Sequence, residues 1–165
     1  MRLYHGSNIS VDTPRLIEQT RGLDFGSGFY LTTSEEQAVR FSMVVYRRKM
    51  TGYPIVNVYE FDIAAAEKAL HIKKFDTANL EWLLFVVENR LKIYQGHSHD
   101  IVIGAVANDT VMPTIQAYQS GFINQEAALI TLKASTLVDQ ICLKTEKALS
   151  LLHFIDAYRI QEADK

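Results

Sequence analysis

The segment Asp24-Phe25-Gly26-Ser27-Gly28-Phe29-Tyr30-Leu31-Thr32-Thr33 carries the clearest structural pattern in the chain. Two glycines separated by one residue favour a turn whose backbone can face a ligand, and the residues after them predict a strand over 29–32. Ser34-Glu35-Glu36-Gln37 then has the form of a capping box, which predicts a helix from residue 35 to about residue 50. The turn lacks the third glycine of a dinucleotide-binding fingerprint and the Lys-Ser/Thr of a phosphate-binding P-loop. A glycine turn, a strand and a helix are therefore expected in succession.

The rest of the chain contains strands and helices in an irregular order. Apolar and β-branched runs predict further strands at residues 2–5, 55–61, 101–106, 137–143 and 153–160, with a weaker element at 70–75. Helices are predicted at residues 112–120, 124–134 and 146–152, and another has the expected apolar face Leu80, Leu83, Leu84, Val87 and Leu91. Because strands and helices do not alternate regularly, the sequence predicts an α+β fold. No linker divides the chain, so residues 1–165 are expected to form a single domain.

Composition excludes several classes of protein. The 17 Lys and Arg residues are balanced by 19 Asp and Glu residues, which gives a net charge of −2. A strongly basic nucleic-acid-binding surface is therefore not expected, although a local basic patch is compatible with this balance. The single cysteine, Cys142, cannot form an internal disulfide, which favours a reducing environment. The longest apolar run, residues 82–87, is far too short to span a membrane. A cytoplasmic protein without a membrane segment is expected.

Three short motifs contain the candidate functional residues. His5 stands at the end of the first predicted strand, followed by Gly6, which permits close backbone approach to a ligand, and by the hydroxyl group of Ser7. The second motif is the segment of residues 24–33, which contains the turn around Gly26 and Gly28, here called the glycine turn. In the late strand, Asp139 and Gln140 are polar residues in an apolar run and should face opposite sides. Each motif also has an ordinary structural explanation: a strand-end histidine, a plain turn, and polar residues on an outward-facing edge.

Two other polar motifs favour ordinary structural roles. His97-Ser98-His99 lacks a third ligand at metal-binding spacing, so a loop is expected there and no metal site is predicted. Arg47-Arg48-Lys49 falls at the end of a predicted helix, where cations complement the helix dipole. An anionic acceptor such as nucleic acid is the alternative ligand for these three cations.

In their order and spacing, the three candidate motifs resemble the ADP-ribosyltransferase superfamily. The match consists of His5-Gly6-Ser7 at the first strand, Gly26-Ser27-Gly28-Phe29-Tyr30-Leu31-Thr32-Thr33 leading into a helix, and a late strand that carries Gln140. In particular the chain looks like a compact bacterial family of unassigned function, and the resemblance covers nearly the whole sequence. It implies a split β-sheet core with flanking helices, NAD as co-substrate, and transfer of ADP-ribose to an intracellular macromolecule by a bacterial toxin-type effector.

The resemblance also implies roles for individual residues. His5 would bind the ribose next to nicotinamide, the Gly6 backbone would reach the carboxamide group, and Tyr30 would stack on the nicotinamide ring. The implied catalytic residues are therefore His5, Tyr30 and Gln140. The implied cofactor-binding residues are His5, Gly6, Ser7, Gly28, Phe29 and Tyr30. Asn89, Arg90 and Asp109 resemble positions near the cleft, without assigned roles.

Gln140 departs from the pattern of the superfamily. Many members carry Glu at this position, whose carboxylate stabilises the oxocarbenium-like transition state. Gln140 can still form a hydrogen bond with a ribose hydroxyl, but loss of one preorganised electrostatic contact typically costs about 10²–10³ in rate. Two alternatives are open: an NAD-dependent ADP-ribosyltransferase, or a catalytically weak or inactive member that binds a nucleotide or a partner protein. The implied partners are an antitoxin protein and an acceptor macromolecule, either protein or nucleic acid.

Overall fold

Two β-sheets lie at the centre of the molecule. The computed structural model describes residues 1–18, 21–107, 111–133 and 137–161. One sheet is antiparallel and consists, in spatial order, of β1 (Arg2–Ser7), β3 (Ile55–Phe61) and β7 (Leu152–Arg159). The other consists, in spatial order, of β2 (Phe29–Leu31), β6 (Asp139–Leu143), β5 (Ile101–Ala105) and β4 (Ile72–Lys74), with β4 and β5 parallel. Each predicted strand is present, within a few residues of its expected bounds.

Six helices are found among the described residues. They are α1 (Glu35–Lys49), α2 (Ile63–Ala69), α3 (Leu80–Leu91), α4 (Met112–Gln119), α5 (Gln125–Lys133) and α6 (Glu146–Leu149). The mixture of strands and helices confirms the α+β class. The apolar pattern does not predict α2, because a run of alanines favours a helix without marking an apolar face. Within the described residues, no helix is both long and apolar enough to cross a membrane.

The helix predicted after the glycine turn begins at its expected capping residue. Ser34 Oγ accepts a hydrogen bond from the backbone N–H of Gln37 at 3.2 Å. Glu35 and Glu36 occupy the first turn of α1, and the basic residues 47–49 occupy its last turn. Both sets of charges complement the helix dipole. The basic run therefore has the structural role that its position predicts.

The four-stranded sheet packs on both of its faces. Toward the other sheet it forms an intersheet core that includes Leu3, Phe29, Leu31, Tyr59, Phe61, Ile101, Ile141 and Leu143. On its opposite face it forms an α3-side core that includes Phe25, Phe75, Trp82, Leu83, Phe85, Val86, Val102 and Cys142. Side chains alternate between the faces of a strand, and Tyr30 is paired with Cys142. Tyr30, Gln140 and Cys142 therefore share the α3 side.

β1 is longer than the sequence predicts. Gly6 pairs with Val56 and Ser7 pairs with Ile55, so the prediction that this strand ends at residue 5 is wrong. The reason is the close approach of α1, because a Cβ added to Gly6 would overlap the carbonyl oxygen of Ala38. Glycine at this position allows the strand to continue past the helix.

Gly6→Ala is expected to lower the free energy of unfolding by about 1–3 kcal/mol, the usual cost of overpacking. The added methyl would also lie 2.7 Å from the backbone nitrogen of Ser42, and a helix backbone cannot move aside as a flexible side chain can. Urea unfolding measures the change. Gly96→Ala is the control, since the three atoms nearest to its Cβ would all belong to the side chain of Tyr94. An equal loss in both variants would contradict this explanation.

Candidate functional site

β1 and β2 meet at one bridge and then separate. There, Tyr4 N–H donates to Thr32 O at 2.9 Å and Thr32 N–H donates to Tyr4 O at 3.0 Å. In a regular antiparallel ladder, the next hydrogen-bonded pair would be Gly6 and Tyr30. The imidazole of His5 intervenes, with Nδ1 2.7 Å from the carbonyl oxygen of Tyr30. We call the place formed by His5, Gly6 and Tyr30 the β1–β2 split.

The contact with Tyr30 fixes the state of the His5 imidazole. A carbonyl oxygen can only accept, so Nδ1 carries the proton and donates it to Tyr30. Burial lowers the pKa of His5 and favours the neutral ring, in which Nε2 is an acceptor. The Phe29 ring supports the imidazole, with 4.5 Å between the two ring centroids. In the part of the chain that the structure describes, Nε2 has no hydrogen-bond partner.

Gly6 directs its backbone groups to the same place. Along a strand, successive residues point their N–H and C=O groups to opposite edges. Those of Gly6 therefore point to the same edge as those of Tyr4, which bond to β2. Because His5 occupies the carbonyl of Tyr30, the Gly6–Tyr30 pair does not form. Over the described ranges, no hydrogen bond to the Gly6 backbone is found, so one donor and one acceptor face the split.

Tyr30 is held by the glycine turn that precedes it. Its hydroxyl donates to the carbonyl oxygen of Gly26 at 2.6 Å and accepts from the N–H of Phe25 at 3.0 Å. Burial raises the pKa of Tyr30 far above its usual range, so the hydroxyl keeps its proton. The half-buried ring packs against the α3-side core. Tyr30 is thus fixed at both its backbone and its hydroxyl, and its stacking on nicotinamide stays a prediction.

The other predicted cofactor-binding residues have packing partners of their own. Ser7 is buried, with Oγ 3.5 Å from the backbone nitrogen of Ile9. Gly28 lies directly against β6, where an added Cβ would overlap the sulfur of Cys142. Phe29 is buried in the intersheet core. These three residues support the split, and their direct contact with a cofactor stays a prediction.

Gln140 lies on the α3 side of β6, where Asp24 binds its amide. Gln140 Nε2 donates to Asp24 Oδ2 at 3.0 Å and to the carbonyl oxygen of Ala105 at 3.3 Å. Its neighbour Asp139 instead accepts from the hydroxyl of Thr33 at 2.8 Å, so the two polar residues have different partners. The structure therefore joins His5 to Tyr30 directly. Within the described residues, no hydrogen bond joins Gln140 to either of them.

The resemblance implies that the loop around residues 24–28 edges the nicotinamide pocket, and it assigns Arg90 no role. In the structure the buried Asp24 forms an ion pair with the partly exposed Arg90. Arg90 donates to Asp24 Oδ1 from Nε at 2.7 Å and from Nη2 at 2.6 Å. The backbone N–H of Ala107 donates to Asp24 Oδ2 at 3.0 Å. A basic residue in the last turn of a helix ordinarily complements the helix dipole, so the position of Arg90 in the sequence gives no specific signal for this pair.

A cavity of about 240 Å³ adjoins the glycine turn. Its lining includes Arg21, Gly26, Ser27, Asn89, Lys92 and Tyr94. The ammonium group of Lys144 donates to the carbonyl oxygens of Phe25 and Ser27 on the same turn. With two cations in its lining, the cavity favours an anionic group. Asn89 thus lies beside the turn, while its place near a cofactor cleft stays a prediction; Asp109 lies outside the described residues.

Stability is expected to fall as the pH drops through about 6.5, because burial holds the pKa of His5 in the folded state below the unfolded value. The unfolded chain then takes up the proton first, so the contribution of His5 is present above that pH and lost below it. His5→Asn, which does not titrate, should reduce this dependence in urea unfolding at about pH 5.5 and 7.5. An unchanged slope in His5→Asn would refute the explanation.

Comparison with known proteins gives a family. A search of curated proteins and a search of solved structures both find no match. A family model described as "Protein of unknown function (DUF3990)" matches residues 1–154, which include the β1–β2 split, the glycine turn and Gln140. The chain therefore belongs to the DUF3990 family.

Proposed function

We propose that this chain is an NAD-dependent ADP-ribosyltransferase whose nicotinamide site is the β1–β2 split. The observation that carries the proposal is the set of fixed polar groups there: Nε2 of His5 and the backbone N–H and C=O of Gly6. A carboxamide group has one acceptor and one donor side, which are complementary to the two backbone groups of one residue. A ribose hydroxyl can donate to Nε2. The divergence of β1 from β2 supports the split-sheet core that the resemblance implies.

The transfer breaks the bond between nicotinamide N1 and ribose C1′. The electron pair stays with nicotinamide, which leaves as a neutral molecule, while the acceptor nucleophile bonds to C1′ and releases its proton. His5 and Gly6 would orient the ribose and the ring for this departure. Gln140 would accept from a ribose hydroxyl without opposing the developing positive charge, so a slow rate is expected.

The surroundings of the glycine turn also fit a dinucleotide. The phosphates of NAD are negatively charged, and Arg21 and Lys92 line the cavity that adjoins Gly26 and Ser27. Cationic side chains near the turn would attract them. This support is independent of the groups at the split.

A binding module without transfer is the second candidate function. The observation that favours it is the hydrogen bond from Gln140 to Asp24, which commits the amide nitrogen to the protein itself. NAD that binds without being consumed would support this candidate, whereas release of nicotinamide would support the enzyme.

We extend the proposal to a cytoplasmic, toxin-type role with an antitoxin protein as partner, on the strength of the sequence resemblance alone. Induced expression in a bacterial host should then arrest growth, and His5→Ala should relieve the arrest. Equal growth arrest by both variants would contradict the role of the split in toxicity. Labelled NAD, followed into the protein and nucleic-acid fractions of a lysate, would identify the class of acceptor.

NAD binding is the direct test of the proposed site. NAD at about 100 times its dissociation constant should stabilise the wild type by about 2.7 kcal/mol in urea unfolding. His5→Ala should lose most of this stabilisation, because it removes the acceptor at the split. His153→Ala is the matched control, since His153 is exposed on β7. No stabilisation of the wild type at about 1 mM NAD would refute the proposal.

A further inference from the structure

The carboxylate of Asp24 is saturated by donors from three parts of the chain. The residue is only 7% exposed. Oδ1 accepts from the guanidinium of Arg90, while Oδ2 accepts from the N–H of Ala107 and from the amide of Gln140, each at 3.0 Å. A buried carboxylate with this many donors is held in one orientation.

Asp24 determines the orientation of the Gln140 amide, that is, whether Nε2 or Oε1 lies against Asp24. Nε2 of Gln140 lies against Asp24 Oδ2 and the carbonyl oxygen of Ala105, and both of these atoms can only accept. The NH₂ group must therefore be at this end, because the inverted amide would set oxygen against oxygen. The carbonyl Oε1 is consequently the end that points away from Asp24.

The same contact explains why position 140 is not Glu. An ionised Glu would place a second carboxylate about 3 Å from Asp24 Oδ2, and like charges at this distance cannot both remain ionised in a buried site. Only Arg90 brings a compensating cation to Asp24 among the described contacts, and it binds the other oxygen. Gln140 is thus the neutral partner of an existing buried carboxylate.

We propose that Asp24 is a positioning residue, which holds Gln140 with its carbonyl oxygen available to a ligand hydroxyl and its nitrogen turned inward. The inference rests on the proposed function in one respect, that the ligand hydroxyl belongs to the ribose of NAD. Asp24 acts through Gln140 and does not contact the ligand itself. Of positions 24 and 140, only position 24 then carries a carboxylate, and position 140 is neutral.

Four proteins test the inference in urea unfolding at about pH 5 and pH 8: wild type, Asp24→Asn, Gln140→Glu and the double variant. A protonated glutamic acid at position 140 can donate to Asp24 much as Gln140 does, whereas an ionised glutamate is repelled. The pKa of the introduced carboxyl group is raised in the folded state, so its favourable contribution is present at low pH and lost as the pH rises. Gln140→Glu should therefore reduce the folding equilibrium constant at least about tenfold more at pH 8 than at pH 5.

In the Asp24→Asn background, the same substitution should lose this pH dependence, because the amide of the introduced asparagine can donate to an ionised glutamate at position 140. Among the residues that the structure describes, the titratable or charged groups that face Asp24 are Arg90 on α3, Tyr30 on β2 and Cys142 on β6. Because these three groups are present in all four proteins, their effects on the folding equilibrium cancel in the comparison. An effect of Gln140→Glu that is the same at both pH values, or in both backgrounds, would overturn the inference.

NAD affinity gives the second readout. In Asp24→Asn, Arg90 retains the remaining carbonyl oxygen, so the NH₂ of the introduced asparagine faces Gln140. It favours the inverted amide against the opposing effect of the Ala105 carbonyl oxygen, so NAD should bind at least about tenfold more weakly. The double variant should recover the NAD affinity that is lost in Asp24→Asn. A merely structural role of Asp24 would not produce this recovery. Asp76→Asn, an exposed residue on the surface, is the control. If Asp24→Asn binds NAD as the wild type does, the inference falls and the proposed function stands. If the wild type does not bind NAD, the proposed function falls, and the unfolding comparison alone decides the orientation of Gln140.

Discussion

Arg90→Ala is expected to lower the free energy of unfolding by about 3–5 kcal/mol, because it leaves the carboxylate of Asp24 buried without its cation. The side chain of Asp24 is 8% exposed and that of Arg90 is 26% exposed, so water cannot fully replace the guanidinium group. Both nitrogen contacts to Asp24 Oδ1, at 2.7 and 2.6 Å, are lost together. Circular dichroism during urea unfolding measures the change.

The control for this prediction is Arg40→Ala. Arg40 forms an ion pair with Glu36 one turn away on α1, but both side chains are largely exposed. Exposed pairs of this kind contribute about 0.3–0.5 kcal/mol. If Arg90→Ala costs no more than Arg40→Ala, the Asp24–Arg90 pair does not stabilise the fold, and the rigid support argued for Gln140 is lost with it.

The order of the elements could be predicted, but the rotation of a helix about its axis could not. Apolar spacing predicts α3 correctly, yet Leu84 and Leu91 of the expected face are 38% and 53% exposed. Trp82 and Asn89 are buried instead. Asn89 can be buried because its amide donates to the carbonyl oxygen of Phe85 in the same helix, at 2.8 Å. A pattern that counts only apolar positions cannot predict the burial of a polar residue whose hydrogen bond is formed within its own helix.

Prediction of the candidate site from the sequence is limited in the same way. The motif around His5 and the glycine turn could be identified from residue types and their order, and the structure joins His5 to Tyr30 at 2.7 Å. The partner of Gln140 could not be predicted, because Asp24 is 116 residues away in sequence. Only the packing of the glycine turn between α3 and β6 brings the two side chains together. Long-range pairs of polar residues carry no local periodicity.

Trp82 links α3 to the strand beside Gln140, and its replacement tests whether this support is rigid. Its side chain is fully buried in the α3-side core, and its indole N–H donates to the carbonyl oxygen of Ala105 at 3.1 Å. The same oxygen accepts from Gln140 at 3.3 Å, so the two donors share one acceptor on β5. Loss of the indole would remove both a large buried volume and one of these two hydrogen bonds.

Trp82→Ala is therefore expected to lower the free energy of unfolding by about 3–5 kcal/mol, the usual cost of removing a large buried aromatic side chain. Trp82→Phe retains most of the volume, and Ala105 still accepts from Gln140, so its loss should be much smaller. Leu84→Ala is the control on the same helix, since Leu84 is partly exposed. Circular dichroism is the appropriate measurement, because Trp82 is the single tryptophan of the chain. If Trp82→Ala and Leu84→Ala destabilise the protein equally, α3 does not anchor β5, and Gln140 is then held by Asp24 without rigid support from Ala105.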